Sequence, residues 1–148
     1  MLVLYQSIHA ILSADEGLRD LLRADIDDPH IYQSFVQTHS EAALRNHHWV
    51  TFNKLSDVGD DTEQTQAIRE IRLEIHVYSR DPDSDRVDKI EDRIRVLLDG
   101  VDVATTDMLA WFFLQEGSST RIHEVDQKCW HTISVYHSKV AAVALLPS

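Results

Sequence analysis

The chain has 148 residues, 43% apolar and 26% charged, with 14 basic residues against 25 acidic ones and a net charge of -11. That length and composition suit one globular domain burying roughly 68–70% of its unfolded surface, and they exclude collagenous, low-complexity and disulfide-built chains. The acid excess argues against a nucleic-acid binder, which concentrates Lys and Arg to meet phosphate, and the lone Cys129 has no intrachain partner for a disulfide.

The first element is a helix: Leu4, Ile8, Ile11 and Leu12 follow the i, i+4, i+7, i+8 spacing of one helical face. The absence of a basic flank and the spaced apolar residues speak against a signal peptide. Ser13 and Glu16 read as an S-x-x-E capping box opening a second short helix with Leu18, Leu21 and Leu22 on its apolar side. Residues 24–46 are mixed and acidic and contain Pro29, which predicts a long connection with a short extended piece at Ile31 and Tyr32.

Residues 47–56 are rich in β-branched and aromatic side chains, and the strand expected there is followed by an acidic loop near 57–66. From about 67 to 79 the pattern alternates. Ile71, Leu73, Ile75 and Val77 fall on one face, and Arg72, Glu74, His76 and Tyr78 fall on a face expected to be wet.

The spacing over 84–98 predicts a helix burying Val87, Ile90, Ile94, Leu97 and Leu98, with Asp85–Lys89 and Glu91–Arg95 as outer i,i+4 pairs and Gly100 as its stop. Residues 107–116, apolar on both sides, predict a strand covered twice or meeting another subunit. The stretch 116–128 reads as a loop, and 129–139 as a last strand alternating Cys129, His131, Ile133 and Val135 with Trp130, Thr132, Ser134 and Tyr136. The apolar run 140–146 is far shorter than the roughly 20 residues of a membrane helix; it can extend the last strand or form a tail on a partner. The order α-α-β-β-α-β-β gives an α+β domain over 1–148, with an antiparallel sheet of about four strands and helices on one face.

Chemical motifs are mostly excluded by spacing. Gly17, Gly59, Gly100 and Gly117 are too dispersed for G-x-G-x-x-G, a Walker A loop or a nucleophile elbow. The strand-to-helix turn Arg80–Asp85 has no glycine and carries carboxylates that would repel phosphate. His47 and His48 are adjacent, so on a strand they should face opposite ways and not share an ion. Cys129 and His131 share a strand face, and His123 could join them across a hairpin, which leaves a small metal-dependent hydrolase as an alternative. His123-Glu124 begins H-E-x-x-H, but Gln127 replaces the second histidine. Tyr78, Trp111, Trp130 and Tyr136 lack the interleaved basic residues of a single-strand binder and read as packing residues. Arg72, Arg80, Arg86, Arg93 and Arg95 are close enough in sequence to form a local basic patch.

The whole order nevertheless carries a likeness. The pair "IHAILSADEGLRDLL", then "WVTFNKLSDV", a polar loop, a strand ending "IHVYSRD", the helix "DRVDKIEDRIRVLLDG" and two closing strands resemble the tail-completion (tail-terminator) proteins of long-tailed bacteriophages over about residues 4–139. The resemblance implies a non-enzymatic structural protein without cofactor or bound metal. It implies a homo-oligomeric ring, typically a hexamer, that caps the last tail-tube ring, ends tube polymerisation and presents a surface to the head-tail connector or neck protein. DNA would meet it only in passing through the lumen, and no membrane is involved. The place implied is the head-proximal end of the virion tail, reached after assembly in the host cytoplasm.

Candidate interface residues on this reading are the loop carboxylates Asp57, Asp60, Asp61 and Glu63, the outward residues Arg72, Glu74 and Tyr78, and Trp111 and Phe113 of the doubly apolar strand. Another neck or adaptor protein of similar fold is the remaining alternative.

Overall fold

A computed structural model describes residues 2–33, 46–59, 68–104, 108–125 and 128–142, with side chains at 4–33, 46–53, 69–102, 120–125 and 128–141. In chain order the elements are α1 (Leu2–Ala14), α2 (Glu16–Leu22), β1 (Ile31–Gln33), β2 (His48–Gly59), β3 (Ile68–Ser79), α3 (Asp85–Leu98), β4 (Val101–Ala104), β5 (Met108–Glu124) and β6 (Cys129–Ala142). The expected α+β class holds, with two more strands than the four expected. β1 and β4 are three and four residues long, too short for a period-two pattern to register.

The strands form one sheet in the order β1-β2-β3-β6-β5-β4. All neighbours are antiparallel except β1 and β2. β6 therefore sits inside the sheet between β3 and β5. β1 covers only Val50–Phe52 of β2, and β4 covers only the β5 segment Leu109–Phe113. Among the described residues, the outer edges of β2 beyond Phe52 and of β5 beyond Phe113 carry no further strand.

One apolar cluster joins the three described helices to one sheet face. Leu4, Ile8 and Leu12 of α1, Leu18 and Leu22 of α2, and Val87, Ile90, Ile94 and Leu98 of α3 pack on Val50, Phe52, Ile71, Leu73, Ile75, Val77, Tyr136 and Val140. The alternation in β3 places its four aliphatic residues inward as expected. In β6 the residues meeting the helices are Thr132, Ser134, Tyr136 and Ser138, because Leu73, Ile75 and Val77 pair in register with Tyr136, Ser134 and Thr132. All four are buried, and Tyr136 is part of the apolar cluster. Its hydroxyl and that of Thr132 are buried without a hydrogen-bond partner among the described residues.

Local chemistry explains the ends of the elements. The N-cap of α2 is Asp15, whose carboxylate accepts from Leu18 N–H at 2.7 Å, instead of the expected Ser13. Ser13 lies within α1, which runs to Ala14, and Arg93 of α3 grips the Asp15 carboxylate from two nitrogens, at 2.7 and 2.5 Å. A methyl on Gly17 would lie 3.2 Å from Arg93 Nε and 3.3 Å from Asp15 Oδ2, so the missing side chain leaves room for that pair. Gly100, with φ of 75°, follows α3 in the left-handed conformation that favours glycine. Of the inward residues expected on α3, Leu97 is only half-buried, while Glu91 is buried and paired with Arg95 at 3.2 Å.

The expected loop 116–128 is mostly strand. β5 continues to Glu124, absorbing Gly117, Ser118 and Ser119 in a register shift between Glu116 and Thr120. A bulge accommodates extra residues without ending the ladder, which is why a glycine-serine run misled the composition argument. β2 likewise runs through Asp57 to Gly59 with a shift between Lys54 and Ser56. The last strand extends to Ala142, so the first residues of the apolar run 140–146 prolong β6.

Candidate interaction surfaces

The sheet face turned away from the helices is where most outward candidates fall. On β3, Arg72 pairs with Ser56 and His137, Glu74 with Asn53 and Val135, and Tyr78 with Trp49 and His131. Arg72 is exposed and Glu74 is half-buried, but Tyr78 is only 5% exposed. The expectation of a wet face therefore fails at Tyr78.

The reason is a stack that alternation within one strand cannot reveal. Trp49 and Tyr78 lie face to face at 4.8 Å and 8°, and His131 continues the stack at 4.2 Å from Tyr78. The Arg80 guanidinium covers the Trp49 ring at 4.8 Å, a cation–π contact. Three neighbouring strands thus each contribute one ring in register. Antiparallel partners sit within about 5 Å of each other, close enough for flat rings to stack.

A polar chain borders the stack. His76 Nδ1 and His131 Nε2 are 2.5 Å apart, His131 Nδ1 is 2.7 Å from Glu124 Oε1, and His76 Nε2 contacts Glu74 Oε1. Each imidazole is held between another ring nitrogen and a carboxylate, which fixes both rings. Burial pushes the Tyr78 hydroxyl well above the ordinary phenol range, with Glu124 adding to the shift.

The hydrolase trio does not assemble. His123 pairs with Trp130, one register position from the Ile122–His131 pair, so it points to the opposite sheet face from His131. It packs edge-on against Trp130 at 4.9 Å. Cys129 is fully buried, and burial raises its thiol to about 11, so it is protonated at neutral pH and a poor nucleophile.

The histidine pair dismissed on spacing does converge. His47 precedes the first residue of β2, so strand alternation does not govern it, and its ring meets that of His48 edge-on at 4.6 Å. Asp81, just past β3, lies 3.0 Å from His47 Nε2 and 3.8 Å from His48 Nε2. Burial lowers His48 to about 4, against the opposing pull of Asp81. Burial would raise the Asp81 carboxyl, but His47, His48 and Arg86 together hold it below the usual range. The signal was available once β2 and β3 were taken as a hairpin, since residues near 48 must then face residues near 79.

The supposed basic patch is dispersed. Arg80 lies on Trp49, Arg86 reaches Asp81 at 3.4 Å, Arg93 grips Asp15, and Arg95 pairs with Glu91 and Asp92. Asp57 pairs with Ile71 inside the β2–β3 ladder and is not a loop residue. Asp60, Asp61 and Glu63 lie outside the described residues. Trp111 stands opposite Lys139, and Phe113 opposite Val101 on the short edge strand β4. No helix among the described residues is long and apolar enough to cross a membrane.

These surfaces present stacked and paired groups and, among the described residues, two incompletely covered strand edges. No curated protein sequence matches the chain. Among solved structures, a chain of the "Virion of native gene transfer agent (GTA) particle" shares its fold, with a TM-score of 0.70 at 14% identity over 94% of this chain and 95% of that one. The family described as Tail completion protein gp17 matches residues 6–137, from α1 to the outer part of β6. With that span covering nearly every element of the fold, the chain belongs to the tail completion protein gp17 family, structural proteins of bacteriophage tails.

Proposed function

We propose that the chain is a non-enzymatic subunit of a ring, of about six copies by the family's resemblance, that caps the tail tube, stops its polymerisation and presents a surface to the neck. The observation that carries this reading is the pair of unlike edges, incompletely covered among the described residues, on one sheet in a chain of the tail completion family. A ring needs heterologous contacts, in which two different surfaces of each subunit meet. The outer edge of β2 beyond Phe52 and that of β5 beyond Phe113 lie at opposite ends of the sheet, so one can face the other across each subunit boundary. Register shifts in both strands twist those edges, which favours a specific partner over indiscriminate pairing.

Within that ring, the interface candidates divide by place. Trp111 and Phe113 lie where β4 covers β5, adjoining the β5 side of the boundary, and Asp57 lies on the β2 side. Arg72, Glu74 and Tyr78 belong to the face turned from the helices, where exposed Arg72 is suited to contact the tube and buried Tyr78 supports the surface from below. Asp60, Asp61 and Glu63 follow directly on β2 and suit a lumen through which DNA slides against like charge. The protein then resides at the head-proximal end of the tail, as one domain over 1–148, after assembly in the host cytoplasm.

The test is electron microscopy of tail tubes polymerised from the cognate tube protein with and without this chain. The reading expects one ring at a single tube end and an arrest of elongation. Tubes that elongate unchanged, with no density added at either end, would overturn it.

A further inference from the structure

We propose that His47, His48 and Asp81 form a binding site for one divalent transition-metal ion of the zinc class, joining the start of β2 to the segment that follows β3. Their ligand atoms all lie within 4.8 Å of one another. A zinc ion with bonds of about 2.0–2.1 Å in tetrahedral geometry holds its donors about 3.3 Å apart. The separations of 3.0 and 3.8 Å from Asp81 Oδ1 to the two imidazole nitrogens bracket that value, so modest ring rotations complete the set.

A second, independent feature points to a ligand. His48 is fully buried, and its Nε2, which faces Asp81, has no hydrogen-bond partner among the described residues. A buried ring nitrogen left without a partner is costly, and a metal ion is a natural occupant. The other nitrogen is held by Ser79, with Nδ1 and Oγ 2.8 Å apart. When Nδ1–H donates to Ser79 Oγ, Nε2 presents its lone pair to the site. Ser79 Oγ also accepts the Asp81 N–H at 3.2 Å, so one hydroxyl orients two ligands, the outer-shell arrangement that metal sites use. Arg86 steadies the remaining Asp81 oxygen at 3.4 Å, and the Arg80 N–H donates to the His47 carbonyl at 3.0 Å.

The donor set selects the metal. Two imidazoles and one carboxylate suit zinc and its transition-metal neighbours, whereas calcium and magnesium favour all-oxygen shells. His47 is half-exposed, so the ion enters from solvent and keeps one coordination position open. Bound there, the ion stabilises the folded chain by mass action and clamps the open end of the β2–β3 hairpin.

The experiment is a calorimetric titration of the chelator-stripped full chain with zinc chloride, for wild type and three variants. One zinc per chain is expected, with a thermal midpoint that rises as zinc is added. His47→Ala and Asp81→Asn should each weaken binding at least tenfold while keeping the wild-type circular dichroism, and His123→Ala should leave it unchanged. Absence of saturable binding would overturn the proposal. So would a stoichiometric site that survives both substitutions, since the ion would then lie elsewhere among the nine histidines.

Discussion

The two faces of the sheet are closed by different chemistry. Towards the helices, Ile71, Leu73, Ile75 and Val77 meet Leu4, Ile8, Ile90 and Ile94 in a cluster dominated by apolar burial. On the far side, Trp49, Tyr78 and Cys129 are equally hidden, yet their neighbours are His76, His131, Glu74 and Glu124, held in a chain of hydrogen bonds. An apolar core tolerates any filling of the right volume. A stack of rings bordered by paired imidazoles is more restrictive, because each ring is held by a directional partner.

That contrast can be broken at several points. Leu73→Ala should be the most damaging change, lowering stability by about 2–5 kcal/mol, as large-to-small substitutions in closed cores do; urea unfolding reads it directly. A loss below 1 kcal/mol would mean that the helix-side core is loosely packed. Asp15→Ala removes the α2 cap and should cost about 1 kcal/mol by the same assay.

The Asp15–Arg93 pair also predicts a pH dependence. Arg93 is the largest cause of the lowered Asp15 carboxyl, which lies below its ordinary 3.8. The folded state therefore holds this proton less tightly than the unfolded state. The stabilisation is complete above about pH 4 and disappears as the pH falls further. Unfolding midpoints at pH 7 and pH 3 should show a difference that shrinks in Asp15→Asn.

On the far face, a double-mutant cycle on Trp49→Leu and Tyr78→Leu should return a coupling of about 0.5–1.5 kcal/mol beyond area burial. Additive effects would reduce the stack to ordinary packing. Arg72→Ala, on the same face but exposed, should change stability by less than about 0.5 kcal/mol. Its expected effect is on ring or tube contact, measured as a loss of tube capping at unchanged thermal midpoint.

The helix side of the molecule was legible in the sequence because helix and strand periodicities report burial on one face directly. Leu4, Ile8 and Leu12, the aliphatic residues of β3 and Val87, Ile90, Ile94 and Leu98 of α3 follow from spacing, whereas Glu91 of α3 is buried against it. The far side was not, because its determinants lie on different strands. Tyr78 looks wet until Trp49 and His131 are placed beside it, and His47 and His48 look divergent until β2 is seen to begin between them. Glycine and serine at Gly117–Ser119 suggest a loop where the ladder absorbs them as a bulge. The family likeness was readable as an order of elements.

The most direct test of the assembly account is the mass of the purified chain in solution, measured by light scattering across concentration and again with tail tubes added. The account predicts a closed particle near six times the 17.0 kDa subunit, present alone or formed on the tubes. A strict 17.0 kDa monomer at every concentration that ignores the tubes would contradict it.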